Sequence, residues 1–123
     1  MFKPKLHLAI LAIVPNLVFS QGNFEKTDQI ALSAPISVSG EIEKLATYLT
    51  QAASSDLEKV RAFYVWIATN INYDMNLFLS GDRSKKITPE DVLRRKKTVC
   101  QGYAELFQAL CRQSSIPCYI VTG

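Results

Sequence analysis

The chain has 123 residues, a length suited to one small domain, and 48% of them are hydrophobic, which excludes a disordered tract. Its formal charge is +3. Two of those charges, Lys3 and Lys5, sit in a leader-like start, and what remains is too small an electrostatic footprint for nucleic acid or an anionic membrane surface.

The first residues, MFKPKLHLAILAIVPNLVFSQG, combine a basic start with a stretch from Leu6 to Phe19 that is apolar apart from His7 and Asn16. Val18 and Ser20 are small enough for positions −3 and −1 of a signal peptidase site. The expectation is a secretory signal peptide over residues 1–20, cut after Ser20, and a secreted or periplasmic mature chain. A retained anchor is the other reading. The stretch falls short of the roughly 20 residues that span a bilayer, and Pro15 interrupts it, so no stable membrane anchor is expected. No cysteine stands near the cleavage site, which argues against a lipoprotein.

Residues 21–40 lack a sustained period and read as a linker or lead-in segment. From Glu41 the pattern turns helical: Ile42, Leu45, Ala46 and Leu49 share one face. Ser55, with Glu58 three residues on, forms a capping box for a second helix. Its expected apolar stripe is Val60, Phe63, Tyr64, Ile67 and Ile71, with Trp66 beside it. Trp66 reads as core, although an indole N–H could serve an oxyanion. Tyr73, in the exit turn INYD, reads as either a turn residue or part of a cleft wall. Leu79 to Lys86 is a polar loop.

Thr88, Pro89, Glu90 and Asp91 open a short third helix, with Thr88 as cap and Pro89 at the first helical position. It ends in the basic run Arg94 to Lys97. That run reads as a solvated helix end, because no aromatic residues interleave the charges as in a nucleic-acid site. A fourth helix follows, with Thr98 and Gln101 as its capping box, Cys100 at its second position, and a buried stripe of Tyr103, Leu106, Phe107, Leu110 and Cys111. Pro117 blocks its continuation. The β-branched and aromatic CYIVTG reads as a strand, with no partner strand in view.

Cys100, Cys111 and Cys118 are the three cysteines. Cys100 and Cys111 are eleven residues apart on one predicted helix, roughly 16 Å, which is too far for a disulfide. Cys111 and Cys118 flank a turn, so a bridge is conceivable. Burial of both as small hydrophobes is the preferred reading.

Cys100 is the candidate for chemistry. A thiolate is the reactive form, and a helix start offers both a favourable dipole and outward N–H groups. The same groups can hold the oxyanion of a tetrahedral intermediate. Gly102 would admit a substrate closely, and Tyr103 would carry packing. A structural cysteine is the competing reading from position alone.

The segments KVRAFYVWIATNINYD and PEDVLRRKKTVCQGYAELFQALCRQSSIPCYIVTG resemble the transglutaminase-like superfamily, which includes transglutaminases and papain-related cysteine peptidases. The resemblance runs from about Leu57 to Gly123. It implies that Cys100 is the nucleophile, with a histidine and then an aspartate on later strands completing the triad. The sole histidine here is His7, and Asp74, Asp82 and Asp91 all precede Cys100. The resemblance therefore transfers Cys100 alone.

The resulting expectation is an α+β fold: residues 41–123 as the front portion of a transglutaminase-like, papain-like domain. It would act on peptide or protein amides through a cysteine thioester, and would be incomplete and inactive as given. It is an enzyme if the later histidine and aspartate exist. The alternative is a non-catalytic module of the same fold that binds peptides or cell-wall components; a secreted helical domain with three buried cysteines is a third. No cofactor and no metal site is expected, since the mature chain offers no histidine and no paired cysteine spacing. The sequence is silent on oligomeric state.

Overall fold

Among residues 24–123, the portion that the computed structural model describes, helices and two very short strands follow in the order α1 (Glu25–Leu32), α2 (Ile42–Thr50), α3 (Asp56–Asn70), β1 (Asn72–Tyr73), α4 (Met75–Ser80), α5 (Pro89–Arg95), β2 (Lys97–Thr98) and α6 (Cys100–Gln113). The expected signal peptide and its cleavage site lie outside the described residues. No described helix is long and apolar enough to cross a membrane.

Helix α3 is the centre of the packing. Ser55 caps it by accepting from the Glu58 N–H, as its sequence pattern predicts. The Glu58 carboxylate in turn accepts from the backbone N–H and hydroxyl of Ser54, so the box closes one residue earlier than the simple motif. The buried face consists of Ala62, Phe63, Trp66 and Ile67. Tyr64, expected in the stripe, is 61% exposed. The reason is that α1, α2 and α6 all pack on α3. Burial between several helices selects the adjoining rows 62/66 and 63/67, and Tyr64 falls outside them. Trp66 is thus core, as its preferred reading had it.

Helix α1 arises inside the segment read as a linker. Only Thr27 and Ala31 of this helix are buried, so its apolar stripe is too thin to show as a period. Polar contacts dock it on α3 instead. Arg61 donates to both carboxylate oxygens of Asp28 at 2.8 Å and lies over the Phe24 ring. The Arg61 side chain beside Asp28 holds that carboxyl below its ordinary value.

Helices α2 and α5 form as predicted. Leu45, Ala46 and Leu49 are buried, and Thr88 caps α5 by accepting from the Asp91 N–H, with Pro89 in the first turn. The basic run at the end of α5 is solvated as expected at Arg94, Arg95 and Lys97, and Lys96 alone is half-buried. Arg95 donates to Asp74, and Lys96, at φ 52°, lies over the Trp66 ring and donates to the Ser39 carbonyl. Burial lowers the Lys96 ammonium below its ordinary value.

Three local features escape the sequence pattern. The strands pair in parallel, Asn72 with Lys97 and Tyr73 with Thr98, through bonds from Asn72 N–H to Lys96 C=O and Asp74 N–H to Thr98 C=O. Helix α4 follows the exit turn and takes in Leu79 and Ser80, the start of the expected polar loop; Asp74 caps it and Gly81, at φ 64°, ends it. Residues 117–123 do not form the expected strand, and no described segment pairs with them. Tyr119 and Val121 are exposed there.

Candidate active site

Cys100 is the first residue of α6, not the second. Val99 occupies the cap position in extended conformation and contributes no side-chain cap. Thr98, expected as the cap, belongs to β2 and is buried. Its side chain faces Gly102 instead: a Cβ at Gly102 would lie 1.9 Å from Thr98 Oγ1. Gly102 therefore allows the first turn of α6 to approach β2. This packing role is one the sequence reading of Gly102 did not foresee.

This close approach sets where Cys100 stands. Its side chain is exposed, unlike Cys111, which is fully buried. The Val99 carbonyl accepts from the Gly102 and Tyr103 N–H groups, which closes the first turn. The N–H groups of Cys100 and Gln101 precede that ladder and form the open end of the helix. An exposed thiol with two N–H groups at a helix start is the arrangement that acyl transfer through a thioester uses.

An aromatic wall flanks the helix start. Tyr73, on β1, stacks on Tyr103, one turn along α6 from Cys100, with ring centroids 6.4 Å apart and 14° between planes. Phe78 of α4 packs against Tyr73 at 6.0 Å. The Tyr103 hydroxyl donates to the Ile71 carbonyl at 2.9 Å, and burial raises its ionisation above the ordinary value, helped by neighbouring Tyr73. Tyr73 is 44% exposed, consistent with a wall open to solvent.

The acids do not assemble around Cys100. Asp74 is buried, caps α4 by accepting from the Leu77 N–H, and accepts from Arg95. Asp82 accepts from Ser84, and Asp91 pairs with Arg94 and Thr88. No histidine occurs among the described residues, and no cluster of potential metal ligands is found among them. Sequence reasoning named Cys100 and raised Tyr73, but it gave Tyr103 only a packing role and missed Phe78. The parallel strand pair brings Tyr73 to Tyr103, and two-residue strands leave no periodic trace.

The transglutaminase-like superfamily pattern matches residues 43–123. The kyphoscoliosis peptidase of Mus musculus is 41% identical over 100 residues, covering 81% of this chain and 15% of that protein. Its Homo sapiens counterpart is 39% identical over the same shares. The Lim and transglutaminase domain protein ltd-1 of Caenorhabditis elegans is 27% identical over 81% of this chain and 13% of its own. The chain thus spans about 15% of the length of the first two relatives. No solved structure matches it significantly. On the match over residues 43–123 and the kinship with the two peptidases, the chain belongs to the transglutaminase-like superfamily.

Proposed function

We propose that this domain belongs to an exported enzyme that transfers acyl groups from peptide or protein amides through Cys100. The observation that carries the reading is the exposed thiol at the first residue of α6, in a chain of this superfamily. The Cys100 sulfur attacks the amide carbonyl carbon. The N–H groups of Cys100 and Gln101 hold the resulting oxyanion. Collapse to the thioester expels the amine, which takes a proton from a general acid. Water then releases a carboxylic acid, or a second amine forms a new amide. The name of the mammalian relatives, a peptidase, favours water as the acceptor here.

This chemistry needs a histidine or equivalent base from outside residues 24–123. That requirement keeps a second reading alive: a non-catalytic module that holds peptides against the Tyr73 and Tyr103 wall. The test is peptide turnover by the full-length protein and by its Cys100→Ala and Cys100→Ser variants. Loss of about a thousandfold or more in both, with unchanged folding, supports the enzyme. Undiminished turnover in either variant refutes Cys100 as nucleophile. Peptide binding with no turnover in the unsubstituted protein supports the binding module.

A further inference from the structure

Helix α6 ends in a chain reversal that brings its second cysteine to the third. Ser115, at φ 58°, takes the left-handed position that glycine usually fills. The Ser115 N–H donates to the Arg112 carbonyl, and the Ile116 N–H donates to the Cys111 carbonyl at 2.9 Å. Pro117 then prevents the helix from resuming. The Gln108 side-chain amide donates to the Cys118 carbonyl at 2.9 Å and ties the returning chain to α6. Ile116 and Cys118 consequently pack against the core cluster that contains Cys111.

We propose that Cys111 and Cys118 are a thiol–disulfide pair that closes into an intramolecular bridge across the end of α6. The two differ in access. Cys118 is half-buried and borders a surface depression lined with Gln108, Arg112, Ile116 and Tyr119, while Cys111 is 1% exposed. Burial, reinforced by the adjacent Cys118 thiol, pushes Cys111 up to about 12. Cys118 is therefore the thiol that meets an oxidant, and Cys111 is the one that resolves.

The oxidant class is a small disulfide such as oxidised glutathione, whose carboxylates Arg112 would attract. The Cys118 thiolate attacks one sulfur of the disulfide, whose S–S bond breaks and releases one glutathione thiolate. Cys111 then loses its proton to solvent, and its sulfur attacks the Cys118 sulfur. The mixed disulfide breaks and the second glutathione leaves. The protein loses two hydrogens and the oxidant gains them. Cys100, at the far end of α6, has no resolving partner within reach.

The experiment exposes the full chain to oxidised and reduced glutathione at graded ratios, followed by acid quench, alkylation and tryptic mass mapping. Trypsin leaves Cys100 and Cys111 together in residues 98–112 and Cys118 beyond Arg112, so a bridge to Cys118 holds two peptides together and fragmentation of the linked pair identifies the cysteine it engages. The expected result is a Cys111–Cys118 linked pair, with Cys100 alkylated or carrying glutathione. Cys111→Ser should trap glutathione on Cys118, and Cys118→Ser should leave Cys111 free. The pair's effective concentration should fall about tenfold or more in concentrated urea, because the fold supplies the proximity. Three results would overturn the proposal: a bridge involving Cys100, both thiols unmodified under conditions that modify Cys100, or the same effective concentration in urea.

Discussion

Gly102→Ala tests the packing that places Cys100. An alanine Cβ would lie 1.9 Å from Thr98 Oγ1, 2.7 Å from its Cβ and 2.8 Å from its Cγ2, where ordinary contact is 3.4–4 Å. Rotation of the threonine moves Oγ1 and Cγ2 but not Cβ. Thr98 cannot retreat freely, because it is buried and its carbonyl accepts from the Asp74 N–H at 2.8 Å. The start of α6 must therefore lift from β2. Such overpacking costs about 1–3 kcal/mol, and the helix preference for alanine returns at most about 1 kcal/mol. The net loss of about 1–2 kcal/mol corresponds to roughly 5–10 °C in Tm for a domain of this size. Trp66, the only tryptophan and fully buried, reports the transition by its fluorescence in urea. In a Thr98→Ala background the same substitution should cost at least about 1 kcal/mol less, since two of the three close atoms are gone. A Gly102→Ala chain that unfolds at the original midpoint, or an unchanged cost in the Thr98→Ala background, would refute the reasoning.

Three further outcomes follow from the geometry. With the thiols reduced, iodoacetamide near neutral pH should modify Cys100 first and Cys111 last; at a value of about 12, Cys111 has about a thousandfold less thiolate than at its ordinary 9.0; equal rates measured by mass mapping of the folded chain would remove the distinction. Thr88→Ala should destabilise the domain by about 1 kcal/mol through loss of the α5 cap, while Thr88→Ser should retain most of it, as read by urea unfolding. Arg61→Ala should loosen α1, seen as faster hydrogen exchange confined to Glu25–Leu32. The Asp28 carboxyl is lowered in the folded state, so its contribution is present above the unfolded value and is lost as pH falls through the lowered one; an α1 equally protected in acid and at neutral pH would contradict this pairing.

Helices that bury a broad stripe or carry their own start signal were visible in the sequence. Ser55 and Thr88 cap the helices they were assigned to, and Leu45, Ala46, Leu49, Leu106, Leu110 and Cys111 enter the core. The start of α6 misled because Thr98 and Gln101 match a capping box, yet the parallel pairing with Tyr73 claims Thr98 for β2. A tertiary contact thus overrode a local signal and moved Cys100 to the first helical position. Helix α1 was hidden because Asp28 and Arg61, 33 residues apart, provide much of its docking. Polar pairing at that distance leaves no period. The place of Cys100 in the first turn of an amphipathic helix was legible, whereas the wall of Tyr73, Tyr103 and Phe78 depends on strand pairing.

Trapping the acyl intermediate on the full-length protein tests the role of Cys100 most directly. The protein is mixed with an activated acyl ester or a glutamine-containing peptide, quenched in acid within the first turnover, and mapped by mass spectrometry. The account predicts a thioester on Cys100, sensitive to hydroxylamine and absent from Cys100→Ala, with Cys111 and Cys118 unacylated. An acyl group on any other residue, or full turnover by Cys100→Ala, would contradict it.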